Sequence, residues 1–241
     1  MSSAAPGAAP GTAAVPPEVA HSLAAHLRRE TEGEVLFDAG SRGRYATDAS
    51  IYQIMPAGVF VPRHAADVST AIALARDLHV PILARGAGTS QCGQTTGAAL
   101  VIDNSKYFCN VLEIDVAARI ATVEPGVVLD RLNEQLKPHG LWFPVDVSTS
   151  AQATLGGMAG NNSCGSRSIA YGNMVHNVLG VRAWLSDGAL VCFDDWFMYA
   201  GDPNQGESHA LKEFLEKHPE WQAIQYQTYS VFCNSFIFRR K

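Results

Sequence analysis

The sequence has few cysteines and no long apolar run. Its five cysteines form no C-x-x-C pair and are accompanied by no His-x-x-x-His, which argues against a structural zinc site and a disulfide framework. We therefore expect no metal. An odd number of scattered thiols is typical of a reducing compartment, so we expect a cytoplasmic protein. No apolar stretch approaches the roughly 20 residues of a membrane-spanning helix, and we expect no transmembrane segment.

An excess of basic side chains is also missing. There are 18 Lys and Arg against 23 Asp and Glu, which gives a formal net charge of −5 at pH 7. Nucleic-acid binding needs a basic face that neutralises phosphates, so we expect no nucleic-acid partner. What the chain does have is length and apolar content, since 47% of its 241 residues are hydrophobic. That is enough for a substantial core.

The two ends differ in composition from the middle. Residues 1–16 are Ala, Pro, Gly, Ser and Thr around a single Val15, and contain no arginine. They match neither a transit nor a signal peptide and are predicted to be a disordered leader. Residues 194–241 form an aromatic-rich tail, with a predicted helix over 208–217 and, beyond it, either a strand pair or a sequence foreign to the upstream domain. The domain itself is taken as residues 17–193.

Hydrophobic periodicity in that domain predicts an α+β fold with two lobes. The first lobe alternates helices and apolar strands, which is the pattern of a small parallel α/β sheet. The second changes to hairpins and is predicted to be mainly antiparallel. The predicted helices are 17–30, 66–78 and 128–136, and the predicted strands are 59–61, 80–84, 99–102, 111–115, 120–124, 178–185 and 189–193.

A glycine-rich segment, Arg85-Gly86-Ala87-Gly88-Thr89-Ser90-Gln91-Cys92-Gly93-Gln94-Thr95, follows one of the parallel strands. Glycines let the main chain approach a ligand closely, and several N–H groups turned one way bind phosphate oxygens. A Walker loop would need lysine where Gln94 stands, and a dinucleotide fingerprint would need glycine at Gln91. A plain surface turn is the remaining alternative.

A second polar segment covers residues 142–150 and 153–165. It is so rich in Gly, Ser, Thr and Asn that it cannot form a core, and its main chain needs hydrogen-bond partners. A large polar ligand would supply them. The two segments together indicate one elongated ligand with a phosphate centre and an aromatic end.

The order and spacing of several motifs add a resemblance. From about Tyr45 to Phe193 the chain resembles the FAD-binding domain of the vanillyl-alcohol oxidase / p-cresol methylhydroxylase (PCMH-type) superfamily, in the branch of glycolate oxidase and D-lactate dehydrogenase. After Phe193 the resemblance stops, so the fold is expected to be incomplete at its C-terminus. The motifs are Tyr45-Ala46-Thr47-Asp48-Ala49-Ser50, Arg85–Ser90, Val123-Glu124-Pro125-Gly126, Pro144-Val145-Asp146, Thr154-Leu155-Gly156-Gly157, Asn161-Asn162-Ser163-Cys164-Gly165 and Tyr171-Gly172.

The resemblance implies FAD as the cofactor. Residues 85–90 would hold its pyrophosphate, the 144–165 segment would line the flavin and ribityl chain, and Val178 would lie near the adenine. Some family members tether FAD to a histidine in the glycine loop, but this chain has Thr89 there, so non-covalent binding is expected. The implied binding residues are Arg85, Gly86, Ala87, Gly88, Thr89, Ser90, Pro125, Gly126, Asp146, Ser148, Thr154, Gly156, Gly157, Asn161, Asn162, Ser163, Gly165 and Val178.

The family reaction is hydride transfer from a D-2-hydroxy acid, such as lactate or glycolate, to the flavin N5. An electron-acceptor protein or a quinone would then take the electrons. Family members carry their substrate-binding residues in a separate C-terminal domain, which we expect this chain to lack because the resemblance stops after Phe193, so no catalytic residue is assigned. Two alternatives stay open: a truncated, catalytically silent FAD-binding remnant, and an aldonolactone or enolpyruvyl-sugar reductase of the same superfamily.

Three single residues have competing interpretations. Asp146 is interpreted as a carboxylate that fixes its own loop by hydrogen bonds rather than as a general base. His176 is interpreted as a packed or hydrogen-bonded structural residue rather than a proton relay. Cys164 is interpreted as a buried, inert thiol rather than a covalent link to the flavin.

Overall fold

The computed structural model describes residues 14–184 and, as main chain alone, the strands at 190–193, 221–230 and 233–240. The chain divides into two compact units. The first contains residues 1–177 and 186–189, and the second contains 178–185 and 190–241. Residues 1–13 of the expected leader and the predicted helix 208–217 lie outside the described residues.

A four-stranded sheet forms the core of the first unit. Its strands β1, β2, β3 and β4 are arranged in the order β1-β2-β4-β3. The last three are parallel, as the sequence predicts, whereas β1 pairs antiparallel with β2 and was not predicted. Every residue of β2 and β4 is buried, which is the expected pattern for central strands of an α/β sheet. The bounds are Glu34–Leu36, Gly58–Val61, Ile82–Arg85 and Leu100–Asp103.

Two longer helices, α1 (Pro17–Glu30) and α3 (Ala65–Asp77), pack against each other beside this sheet. Proline at the first position of α1 suits a helix start because its missing N–H would have no intrahelical partner there. Both helices agree with the predicted ones within one residue at each end. The buried residues are Leu23, Ala24 and Leu27 in α1, and Asp67, Val68, Ala71, Ile72 and Ala75 in α3.

The short helix α2 (Ala39–Arg44) precedes β2 and was not predicted. It begins at Asp38, whose Oδ1 accepts a hydrogen bond from Ser41 N at 2.8 Å. Two glycines in six residues hide the helical periodicity, so the N-cap is the only sequence signal for this element.

The rest of the first unit contains a hairpin and four short helices. β5 (Val111–Asp115) and β6 (Ile120–Val123) pair antiparallel, as predicted. Helix α4 (Leu129–Leu136) buries Leu129, Leu132 and Leu136 and leads into a 3-10 turn at Lys137–His139. The remaining helices are α5 (Leu155–Gly160), α6 (Ser168–Tyr171) and α7 (Met174–Asn177).

The second unit contains two antiparallel strand pairs. β7 (Val181–Trp184) pairs with β8 (Leu190–Phe193), and β9 (Trp221–Ser230) pairs with β10 (Cys233–Arg240). Strand β7 begins three residues later than predicted, because 178–180 adopt no regular structure. The strand-pair interpretation of the tail is confirmed for its main chain. Across the part of the chain that is described, no helix has the length and hydropathy to cross a membrane.

Candidate functional site

The glycine-rich segment 85–95, the glycine loop, begins at the carboxyl end of β3, which is an edge strand of the main sheet. The neighbouring strand β4 ends at the same edge, and Asn104 N donates to Arg85 O at 3.1 Å just beyond it. In parallel sheets this edge is where ligands bind. The topology therefore places the glycine loop where the sequence predicts a binding site.

The guanidinium of Arg85 is occupied by the protein's own main chain. Its Nη1 donates to Tyr45 O and to Thr95 O at 3.2 Å each, and its Nη2 donates to Thr47 O at 2.8 Å. It also lies 5.2 Å from the centre of the Tyr45 ring. Arg85 thus ties both ends of the glycine loop to the 45–47 segment, and three of its five N–H groups are used in doing so.

The main-chain N–H groups of residues 86–91 are available to a ligand. Within the described part of the chain they donate to no acceptor. Gly88 has φ +70°, a left-handed conformation that favours glycine, and a Cβ there would lie 2.4 Å from Arg85 Nη2. Its carbonyl accepts from Ala49 N at 3.1 Å, which fixes the turn. Six consecutive unpaired amides in a fixed turn provide the donors that pyrophosphate oxygens need, so the residues present fit an anionic cofactor.

Side chains hold the far end of the loop. Ser90 Oγ donates to Gln94 Oε1, which also accepts from Cys92 N at 3.2 Å. Asp48 Oδ2 accepts from Thr95 Oγ1 at 3.1 Å. Partial burial opposes the charged form of Asp48, but hydrogen bonds from Ser50 and Thr95 outweigh it and lower the pKa of this carboxyl.

The second polar segment touches the glycine loop directly. A Cβ on Gly86 would lie 2.2 Å from Thr154 Oγ1, so only glycine fits between the two segments. Thr154 is 3% exposed and is the N-cap of α5, where its Oγ1 faces Gly157 N at 3.4 Å. The two loops that the sequence assigns to one ligand are therefore in contact.

Pro125 and Gly126 support the same corner. Gly156 N donates to Pro125 O at 2.8 Å, and a Cβ on Gly156 would lie 2.5 Å from Pro125 Cβ. A Cβ on Gly126 would lie 2.3 Å from Asn104 O, and Gly126 N donates to Phe108 O at 2.7 Å. These glycines are required by close approach of main chain to main chain.

Asp146 is a loop-fixing residue, as interpreted from the sequence. Its Oδ2 accepts from Ser166 Oγ at 2.8 Å and its Oδ1 accepts from Arg167 N at 3.0 Å. A Cβ on Gly165 would lie 2.1 Å from Asp146 O. The Arg167 main-chain N–H and then the Ser166 hydroxyl lower the pKa of the Asp146 carboxyl, which keeps it charged.

The 161–165 turn is held mainly by its own hydrogen bonds. Asn162 has φ +46°, and its Oδ1 accepts from Val175 N at 3.0 Å. Ser163 N donates to Met158 O at 2.9 Å, which closes the turn onto α5. Asn161 is exposed, as is Ser148 in the preceding segment.

Two further interpretations have opposite outcomes. His176 Nδ1 accepts from Asn173 N at 3.1 Å, which confirms a hydrogen-bonded structural role. The interpretation of Cys164 as a buried thiol is wrong, since this residue is exposed. The cause is local: Cys164 lies in the turn between α5 and α6, and small residues on both sides leave nothing bulky to cover it.

The structure thus joins most of the predicted residues in one connected region. The glycine loop meets Thr154, the Thr154 helix meets Pro125, and the turn after that helix meets Asp146. Thr89 belongs to the loop of unpaired amides, but its side chain makes no hydrogen bond to a described residue. Val178 lies in the second unit, so its place at the adenine stays a prediction.

Sequence analysis missed a hydrogen-bonded pair next to the glycine loop, Tyr45 and Asp103. Tyr45 Oη donates to Asp103 Oδ2 at 2.7 Å, and Asp103 Oδ1 accepts from Ser105 N and Ser105 Oγ at 2.8 and 2.7 Å. Burial, followed by the hydrogen bond to Asp103, raises the pKa of the Tyr45 phenol. A polar residue at the end of a buried strand, as in Leu100-Val101-Ile102-Asp103, is the signal that could have revealed it.

Comparison with known proteins agrees with this geometry. A family model described as "FAD binding domain" matches residues 56–194. A D-2-hydroxyglutarate dehydrogenase of Haemophilus influenzae is 37% identical over 163 residues, which is 66% of this chain and 16% of that protein. The glycolate oxidase subunit GlcD of Bacillus subtilis is 35% identical over 167 residues, or 67% of this chain and 35% of its own length. The chain therefore spans only a part of these relatives.

Solved structures show the same fold at low sequence identity. The D396N variant of Physcomitrella patens BBE-like 1 covers 77% of this chain with TM-score 0.63 and 20% identity, over 42% of its own length. A carbohydrate oxidase from Microdochium nivale covers 74% with TM-score 0.61 and 21% identity, over 39% of its own length. The architecture is that of the PCMH-type FAD-binding fold.

Proposed function

Since the chain belongs to the family of FAD binding domains, we propose that it is the FAD-binding portion of an oxidoreductase that acts on 2-hydroxy acids. The observation that carries the proposal is the row of unpaired amides at 86–91, held against the second polar loop through Gly86 and Thr154. The relatives support the substrate class, since they include a D-2-hydroxyglutarate dehydrogenase.

The residues divide the work of holding FAD. The 86–91 amides bind the pyrophosphate, and Arg85 contributes by fixing the loop through three carbonyls rather than by facing the phosphates. The 144–165 segment lines the flavin side, where Asp146 keeps the 165–167 turn in place. When bound, FAD supplies the group that accepts a hydride from the substrate.

We further propose that FAD is bound without a covalent bond. The glycine loop has no histidine, and Thr89 stands at the position that resembles the tethering residue of some family members. A hydroxyl at this place cannot form the histidyl link. Cys164 is the thiol of the second loop and is exposed, so the test of this proposal includes its removal.

A second candidate function is a catalytically silent FAD-binding protein. The chain spans 16% of the dehydrogenase and 35% of the glycolate oxidase subunit, and this share alone does not decide between the two candidates. In this case FAD binds but no substrate is oxidised. The electron acceptor, protein or quinone, would then have no role.

One set of measurements tests these proposals. The purified chain is stripped of flavin and equilibrated with FAD in dialysis, and we expect saturable uptake of one FAD per chain. Trichloroacetic acid should release the flavin to the supernatant, from Cys164→Ser and the unmodified chain alike. Dye reduction is then followed with D-2-hydroxyglutarate, D-lactate and glycolate. Turnover would eliminate the silent protein, and absence of FAD uptake would refute the function itself.

A further inference from the structure

An arginine in the turn that directly follows the second polar loop makes no hydrogen bond through its guanidinium to a described residue. Arg167 is the only Lys or Arg between Lys137 and Arg182, and Asp146 is the only Asp or Glu in the same stretch. The Arg167 side chain is 59% exposed. In a chain of net charge −5 this is a localised positive group within the candidate site.

The nearby carboxylate pairs with this charge but leaves the guanidinium N–H donors unused. Arg167 Nε lies 3.7 Å from Asp146 Oδ2, which is an ion pair without a hydrogen bond. Both Asp146 oxygens already accept shorter bonds, one from Ser166 Oγ and one from Arg167 N. The guanidinium N–H groups therefore have no hydrogen-bond acceptor among the described residues, although a planar guanidinium carries five donors.

Aromatic rings fix the position of this guanidinium. Its Cζ lies 5.1 Å from the centre of the Trp142 ring, a cation–π contact. Trp142 in turn meets Tyr171 edge to face, with ring centres 5.3 Å apart and planes at 85°. Trp142 is 42% exposed and Tyr171 51% exposed, and neither the indole N–H nor the phenol has a hydrogen-bond partner among the described residues.

We propose that Arg167, Trp142 and Tyr171 form a carboxylate-binding subsite, in which Arg167 receives the carboxylate of the organic acid. This rests on the proposed function for the identity of the acid. A preorganised guanidinium with unused donors binds a carboxylate through two parallel hydrogen bonds. The two aromatic side chains add an apolar wall and two further donors, and Arg167 is a binding residue rather than a catalytic one.

The test uses the full chain without FAD, so that it does not depend on cofactor binding. The reporter is the Trp142 indole N–H resonance, identified by its absence in Trp142→Phe. D-2-hydroxyglutarate, D-lactate and the uncharged D-lactamide are titrated separately. We expect both acids to shift the resonance saturably and D-lactamide to leave it unmoved.

Variants separate the guanidinium from charge in general. Arg167→Gln should raise the half-saturating concentration of the acids at least tenfold, and Arg167→Lys should have an intermediate effect because an ammonium lacks the planar fork. The matched control is Arg131→Gln, which removes an exposed arginine paired with Glu134 on α4. It should titrate like the unmodified chain.

Three results would overturn the subsite: no shift with either acid, an equal shift with D-lactamide, or an unchanged titration in Arg167→Gln. A titration with ADP tests whether the group binds cofactor phosphate instead of a carboxylate. If ADP moves the Trp142 resonance at lower concentration than the acids do, the group binds cofactor phosphate and the carboxylate assignment is wrong. Failure of the proposed function is separate, since it appears as missing FAD uptake in dialysis.

Discussion

The two polar loops of the candidate site use their main chain and side chains in opposite ways. In the glycine loop the guanidinium of Arg85 is engaged by three carbonyls while the amides of 86–91 have no partner among the described residues. In the second loop the main-chain N–H groups of 155–158 and 161–163 donate hydrogen bonds within the protein, and the Asp146 carboxylate accepts them from the turn that follows. In that turn, the guanidinium of Arg167 makes no hydrogen bond to a described residue.

This contrast shows that an arginine in a binding loop is not by itself an anion-binding residue. Arg85 is next to the predicted phosphate site in sequence, yet its donors stabilise the shape of the loop. Arg167 has a less suggestive sequence context but keeps its donors available. The glycine loop therefore offers main-chain donors to an anion, and the turn after the second loop offers the donors of a side chain.

The largest effect on FAD affinity is expected for a substitution at the contact between the two loops. Gly86→Ala places a Cβ 2.2 Å from Thr154 Oγ1, so the loops must separate and FAD affinity should fall at least tenfold. In Gly86→Ala/Thr154→Ala the closest remaining Thr154 atom is its Cβ at 3.4 Å, an ordinary contact. Equilibrium dialysis with FAD should then show recovery relative to the single Gly86 variant.

The control for the Gly86 and Thr154 variants is Gly43→Ala, since a Cβ at Gly43 has nothing within 4 Å. It should bind FAD like the unmodified chain. If the double variant is no better than Gly86→Ala, the contact between the loops is not what sets the affinity.

Among the effects on stability, the largest is expected for Tyr45→Phe. This change removes the hydrogen bond to the buried Asp103 carboxylate, which should cost about 1.5–3 kcal/mol of unfolding free energy in urea titrations. Tyr52→Phe is the matched control because its phenol has no hydrogen-bond partner among the described residues, and its stability should be unchanged.

The raised pKa of Tyr45 also predicts how stability changes at alkaline pH. Because the folded-state pKa of Tyr45 is raised, its stabilising contribution is complete below the unfolded pKa of about 10 and is lost as the pH rises beyond it. Absorbance at 295 nm should show one fewer late-ionising phenol in Tyr45→Phe than in the unmodified chain. Identical titrations would contradict the burial of this group.

Sequence patterns predict the three longest helices, α1, α3 and α4, and most strands of the first unit because apolar spacing there follows regular periods. They fail for the short helices α2, α5, α6 and α7, which have six residues or fewer, and for β1, which has three half-buried residues and no alternation. The candidate loops are predictable from glycine and hydroxyl content. The roles of Arg85, Asp103 and Cys164 are not, because they depend on which distant carbonyls and side chains surround them.

In the second loop, Asn162→Ala should destabilise the chain by about 1–2 kcal/mol. Alanine would keep the left-handed conformation at φ +46° without the Asn side chain, whose Oδ1 accepts from Val175 N. Asn162→Gly should cost less, since glycine removes the conformational strain and loses only the hydrogen bond. Urea denaturation of both variants measures the difference, and equal losses would contradict a strained main chain.

The smallest effect on stability is expected for Asp146→Asn at acidic pH. The folded-state pKa of Asp146 is lowered, so its contribution is present above the unfolded pKa of about 3.9 and is lost as the pH falls below that value. The stability difference between the unmodified chain and Asp146→Asn should therefore be constant from pH 7 to 5 and shrink toward pH 3. A difference that does not change over this range would show that the carboxylate is not held by Ser166 and Arg167.

The most direct test of the main-chain recognition of FAD is a ¹H–¹⁵N NMR titration with ADP, which carries the pyrophosphate without the flavin. If the 86–91 amides bind it, their resonances should move downfield together and saturably, while the Arg85 Nε resonance stays in place. Movement of Arg85 Nε with unmoved 86–91 amides would contradict the account, because the pyrophosphate would then be bound by side-chain charge.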